Sequence, residues 1–169
     1  MTLFRRRPKL PAAQRPALAR DERVVAWSDS GSGVLVATNL GIWLPDFLPW
    51  HLIHKATWDG SVLAVTPARE VAARDGYTVV ADEPVRSFRL ASPGELPHQV
   101  RARVTRSVGY TTHHAVPGVR VAARRVPGVD GLRWTVRYDP GVDVSDPAVV
   151  AATDELVGQI HAEVVAPPG

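Results

Sequence analysis

Leu48-Pro49-Trp50-His51-Leu52-Ile53-His54-Lys55-Ala56-Thr57-Trp58-Asp59-Gly60-Ser61-Val62-Leu63-Ala64-Val65 is the stretch on which the fold reading turns. Strand-forming residues flank Asp59-Gly60 on both sides, and that dipeptide can supply the two positive φ values of a type I′ turn. The expectation is a β-hairpin over 48–65. Side chains alternate along a regular strand, so His51 and His54, three apart, would face opposite ways, whereas Trp50 and Trp58, eight apart, would share a face.

Working outward, the segment before the hairpin reads as three short strands at 24–27, 34–38 and 42–44. Asp29-Ser30-Gly31-Ser32-Gly33 and Asn39-Leu40-Gly41 provide the turns between them. On the other side, 67–76 reads equally as a helical turn or a strand extension. Strands at 77–81 and 85–90 follow, broken by Asp82-Glu83-Pro84. Helical periodicity then takes over: Leu96, Val100, Val104 and Val108 recur every four residues, with Arg101, Arg103 and Arg106 off that stripe. Ser92 and Glu95 have the spacing of a capping box.

Seven strands followed by a helix is the element order of pleckstrin-homology-like (PH-like) domains, which the chain resembles over 23–108. The local text is similar to bacterial members: Val36-Ala37-Thr38-Asn39-Leu40-Gly41-Ile42-Trp43-Leu44, then Leu48-Pro49-Trp50 with Ile53 three residues on, then Gly60-Ser61-Val62-Leu63-Ala64-Val65. The whole chain is also similar to a small actinobacterial protein family. The resemblance implies a scaffold that binds proteins, peptides or lipid head groups, with no chemistry of its own. In phosphoinositide-binding members the first loop carries phosphate-gripping basic residues. Here that loop contains Asp29 and no basic residue, which argues against lipid recognition of that type.

Beyond the helix, strands are expected at 110–116, 119–126 and 132–138, the last two joined through Pro127-Gly128-Val129-Asp130-Gly131. A final helix opens at Ser145-Asp146-Pro147, with Val149, Ala152, Leu156, Ile160 and Val164 as its apolar stripe. In the hairpin, Val119, Val121 and Ala123 share a face with Leu132, Trp134, Val136 and Tyr138, which the final helix would cover. Arg120, Arg124, Arg133 and Arg137 occupy the other face. The register that keeps the apolar sets together puts Arg124 opposite Arg133 and Arg120 opposite Arg137. Like charges opposite one another are unfavourable. An acidic partner, a nucleic-acid phosphate or a carboxylate from elsewhere in the fold would relieve them, as would solvation of the splayed side chains.

The 169 residues suit one well-buried domain, or one domain with a sizeable appendage. The absence of cysteine excludes disulfides, thiolate metal sites and cysteine nucleophiles, and fits a reducing cytoplasm. Arginine far outnumbers lysine, as in GC-rich bacterial genomes. No apolar run reaches the roughly 18 residues that span a bilayer, and no signal peptide is evident. The net charge of +3 is uneven: Arg5, Arg6, Arg7, Lys9, Arg15, Arg20 and Arg23 against Asp21 and Glu22 give the first 25 residues +5 and leave the remainder at −2. The first 20 residues, with prolines at 8, 11 and 16, read as a flexible basic arm, either a solubilising terminus or, through Phe4 and its arginines, a candidate surface for acidic membranes or nucleic acid.

Catalytic and metal motifs are missing. His51/His54 and His113/His114 are split by strand parity and have no carboxylate at ligand spacing, so no metal or cofactor is expected. The pairs Asp82-Glu83 and Asp154-Glu155 do not converge as catalytic carboxylates would. The five tryptophans read chiefly as core.

The fold expected is therefore α+β: a flexible arm (1–20), a seven-stranded PH-like barrel with its capping helix (21–108), and a small antiparallel sheet with a C-terminal helix packed on the barrel (109–169). The function expected is that of a non-enzymatic cytoplasmic binding module for a protein partner, with Arg120, Arg124, Arg133, Arg137, Trp50 and Trp58 as binding candidates. Association with nucleic acid through the arm and the arginine face is the alternative.

Overall fold

A computed structural model describes residues 9–165; the expectations for Phe4, for the Arg5 to Arg7 run and for residues 166–169 fall outside them. The chain is α+β, with a four-stranded antiparallel sheet, a curled seven-stranded mixed sheet and a C-terminal helix. The smaller sheet runs in sequence order: β1 (Val24–Ser30), β2 (Gly33–Thr38), β3 (Gly41–Trp43) and β4 (Phe47–Pro49). A single 3₁₀ turn, Trp50–Leu52, carries the chain into the second sheet at β5 (Ile53–Trp58). There follow β6 (Val62–Arg74), β7 (Tyr77–Asp82), β8 (Arg86–Arg89), helix α1 (Leu96–Ser107), β9 (Val108–His114), β10 (Val119–Arg124), β11 (Arg133–Tyr138) and helix α2 (Pro147–Val165).

Strand β6 explains the curl. Its 13 residues outrun any single partner: the first half is flanked by β5 and β8, and the second half pairs with β7. The segment 67–76, open from sequence, is thus mainly strand extension. A bulge between Glu70 and Ala72 bends it. Strand β7 then lies parallel to β11, which joins the hairpin of β10 and β11 to the same sheet.

Each side of the molecule has its own core. Leu35, Ile42, Trp50, Ile53, Leu63, Val65 and Phe88 pack against Leu96, Val100 and Val104 of α1, the helical stripe read from sequence. Tyr77, Val79, Val119, Val121, Trp134 and Val136 pack against Val157 and Ile160 of α2. Arg74 reinforces the second contact by donating to Tyr77 Oη (3.1 Å) and Tyr138 Oη (2.7 Å), while Tyr77 donates to Asp154 of α2 (2.5 Å). At the start of α2, Asp146 Oδ1 accepts from the Ala148 amide at 2.9 Å, as the Ser145-Asp146-Pro147 signal predicts. Leu10, within the arm expected to be flexible, is buried.

Several expectations are corrected. The stretch 48–65 is not one hairpin: Leu48 and Pro49 pair with β3, and the proline-led 3₁₀ turn moves the chain to another sheet before β5 begins. Among the described residues eight strands therefore precede α1, not seven. The Asp59-Gly60 turn is not type I′, because Gly60 alone has positive φ (+97°). Instead Asp59 Oδ1 accepts from the amides of Ser61 (2.8 Å) and Val62 (2.6 Å), an Asx arrangement that also holds the Asp59 carboxyl below its usual pKa. Glu95 itself sits at the N-cap of α1, with no side-chain cap hydrogen bond, so the helix begins three residues later than a cap at Ser92 would place it. The C-terminal strands form no separate antiparallel sheet, since the parallel β7–β11 pairing merges them with β6. No helix among the described residues is long and apolar enough to cross a membrane.

Candidate functional site

The parallel strands β7 and β11 pair only at Thr135 with Thr78 and Val136 with Val79. That pairing sets Val80 and Asp82 of β7 near Thr135 and Arg137 of β11, and a crevice lies there on the face of the sheet opposite the α2 core. Alternation dictates what lines it. With Val119, Val121 and Ala123 of β10, and Trp134 and Val136 of β11, committed to the α2 core, Arg120, Ala122, Arg124, Thr135 and Arg137 turn inward. Strand β7 contributes Val80 and Asp82, and β6 contributes Ala68. His51 and His54 close the other wall. The small side chains leave a cavity of about 40 Å³.

The arginine register is the one read from sequence, with Arg124 opposite Arg133 and Arg120 opposite Arg137. Three of the four are relieved within the fold, two by carboxylates and one by carbonyl and hydroxyl oxygens. Arg137 pairs with Asp82 (3.0 Å) and Arg133 with Glu70 (2.5 Å). Arg124 is buried, 7% exposed, and its Nη2 donates to Trp50 O (3.0 Å), Ile53 O (2.9 Å) and Ser107 Oγ (2.7 Å). No carboxylate among the described residues pairs with it, and burial pushes its guanidinium down to about 10. Arg120 has only a long hydrogen bond to Thr111 Oγ1 (3.4 Å) and no carboxylate partner among the described residues. Beside it across β9 lies His113, which is paired with Asp139 (2.8 Å).

The two histidines are the main surprise. Strand parity separates them, but His51 lies in the 3₁₀ turn, where alternation does not apply, and the turn brings it to the crevice with His54. Burial first, then Arg133 and Arg124, lower His51 to about 4. Burial first, then Arg137, lowers His54, against an opposing pull from Asp82. Both are neutral at pH 7. His51 Nδ1 and Arg124 Nε are buried without a hydrogen-bond partner among the described residues. The surrounding guanidinium groups make the crevice hostile to a metal cation and favourable to an anion. Among the described residues no group of three metal-ligating side chains occurs.

The two tryptophan candidates lie elsewhere. Trp50 is 2% exposed and donates through Nε1 to Thr38 O (3.0 Å), and Trp58 packs partly buried on the same core. They do share a core, although Trp50 belongs to the turn and not to a strand. Burial leaves Trp50 and Trp58 as packing residues first. The residues that sequence reasoning missed are His51, His54, Glu70 and Asp82. Pro49, directly before Trp50, is the signal for the histidines, because a proline can open a helical turn that ends strand alternation.

Compared with known proteins, the chain matches no protein-family model, no curated protein and no solved structure.

Proposed function

We propose that this chain is a non-enzymatic binding module, a PH-like barrel of β1–β8 and α1 extended by β9–β11 and α2, that takes an acidic segment of a protein partner at the basic crevice. The observation that carries the reading is Arg120: a half-buried cation at the crevice, without a carboxylate among the described residues, in a wall where its neighbours are already neutralised or buried. The order of a four-stranded sheet, further strands and a packed helix supports the barrel part. Held at about 4, His51 is too weakly basic to be an effective general base at pH 7, which favours binding over catalysis. Nucleic acid has less support, because Arg133 and Arg137 are already paired with carboxylates and Arg124 is buried, so no open arginine stripe remains for a phosphate backbone on the β10–β11 face.

A hexaglutamate peptide titrated into isotope-labelled protein tests this. The Arg120 side chain and the Ala122 and Thr135 amides should shift, with affinity falling as salt rises and dropping several-fold in Arg120→Gln. An unchanged spectrum, or an equal response from Arg120→Gln, refutes it.

A further inference from the structure

A second, larger cleft lies away from the crevice, where the C-terminal turns of α1 face the loop after β10. Its volume is about 550 Å³, within the usual range for small-molecule sites. Two kinds of chemistry meet in it. Val126, Pro127, Val129 and Leu132 form an apolar wall, and the buried Trp50 lies at its base. Opposite them stand Arg103 and Arg106, one helical turn apart on α1, with Arg125 beside them.

These guanidinium groups are gathered without compensation. No ion pair among the described residues includes Arg103, Arg106 or Arg125, and Asp130, exposed in the loop, is the one carboxylate among those residues that lines the cleft. Arg103 Nε is buried with no hydrogen-bond partner among the described residues. Burial first, then the like charges of Arg106 and Arg23, hold its guanidinium below the usual arginine value. The carbonyls at the end of α1, which would repel an anion, are already occupied: Ser107 Oγ donates to Val104 O (2.6 Å), and Arg125 Nη1 donates to Arg106 O (2.9 Å) and Val108 O (3.3 Å). Like charges crowded beside an orphaned buried donor cost stability, and a bound anion would offset that cost.

We propose that this cleft binds a small organic anion, a carboxylate or phosphate monoester carrying an apolar chain or ring, with the charged end held by Arg103 and Arg106 and the apolar body laid along Val126, Val129 and Leu132. The site is separate from the crevice and does not depend on the function proposed for it. A cation is excluded by the charge, and an extended polyanion finds no use for the apolar wall.

Calorimetric titration with decanoate, decyl phosphate and decanol, each below its self-association threshold, tests the idea and separates the two anion sources. One or both anions should bind at least tenfold more tightly than decanol, and the tighter of them identifies the head group. In Arg106→Gln, which replaces an exposed side chain, anion affinity should fall about tenfold or more while decanol binding stays unchanged. Val129→Glu, adding a like-signed charge at the exposed rim, should weaken the anions in the same way. Hexaglutamate binding at the crevice should be indifferent to both variants, so the two sites can fail independently. Equal binding of decanol and the anions, or anion binding untouched by either variant in protein of normal unfolding midpoint, overturns the proposal.

Discussion

Replacing Arg124 by methionine tests the least expected feature of the molecule, a buried cation satisfied by carbonyl and hydroxyl oxygens in place of a carboxylate. The side chain reaches from β10 to Trp50 O, Ile53 O and Ser107 Oγ, so it fastens the C-terminal strands to both the 3₁₀ turn and α1. Hydrogen bonds to a charged group contribute roughly 1.5–3 kcal/mol each. Two Nη2 protons serve three acceptors here, so the gross loss in the variant is about 4–7 kcal/mol by the same scale. Part of this is returned, because a guanidinium held at about 10 in place of 12.5 has given up roughly 3 kcal/mol of solvation that methionine does not need. The balance is a destabilisation of about 1–4 kcal/mol. With a urea dependence of about 2 kcal/mol per molar, the unfolding midpoint should fall by roughly 1–1.5 M near the centre of that range. Tryptophan fluorescence and far-ultraviolet circular dichroism both report the transition. A midpoint within about 0.2 M of the parent, well under the smallest shift expected, would show that desolvation cancels the hydrogen bonds and that Arg124 is not what ties the two parts together.

Acidification should destabilise the protein between pH 6.5 and about 4: His51 is depressed from 6.5 to about 4, so the unfolded chain takes up its proton first and stability falls with pH across that window. After discounting for the ring's partial exposure the loss is roughly 2 kcal/mol, and His51→Gln should flatten the curve of urea midpoint against pH. Gly41→Ala should lower the melting temperature by roughly 5–10 °C, since an added Cβ would run into the Leu48 carbonyl and the Phe47 ring and force β3 from β4. Arg133→Gln, by contrast, should cost less than about 1 kcal/mol in a chemical melt, because its pair with Glu70 is half exposed on both sides.

What was legible in the chain was whatever a local rule decides. The α1 stripe of Leu96, Val100 and Val104, the placing of the arginines on the face opposite the apolar set, the register of Arg124 with Arg133 and the Asp146 cap all follow from period, alternation or a side chain meeting its own backbone. The same rules misled wherever two of them met. Alternation split His51 from His54 because it was carried through Pro49, where the backbone changes to a helical turn. An α+β order with short strands and two amphipathic helices was thus determined by the residues alone.

Only the tertiary structure decided that the strands after α1 belong to the sheet before it. The β7–β11 pairing rests on two residue pairs from distant parts of the chain, and no local preference announces it. The fate of each arginine was likewise settled in three dimensions, by Glu70 and Asp82 arriving from β6 and β7 and by the carbonyls of the turn closing over Arg124. A side chain's direction is set by its own strand, but whether it meets water, a carboxylate or a buried carbonyl depends on which remote segment packs opposite. For this reason the stretch 48–65 decides the fold through the turn at Trp50–Leu52, which leads from one sheet into the other and carries His51 into the basic crevice.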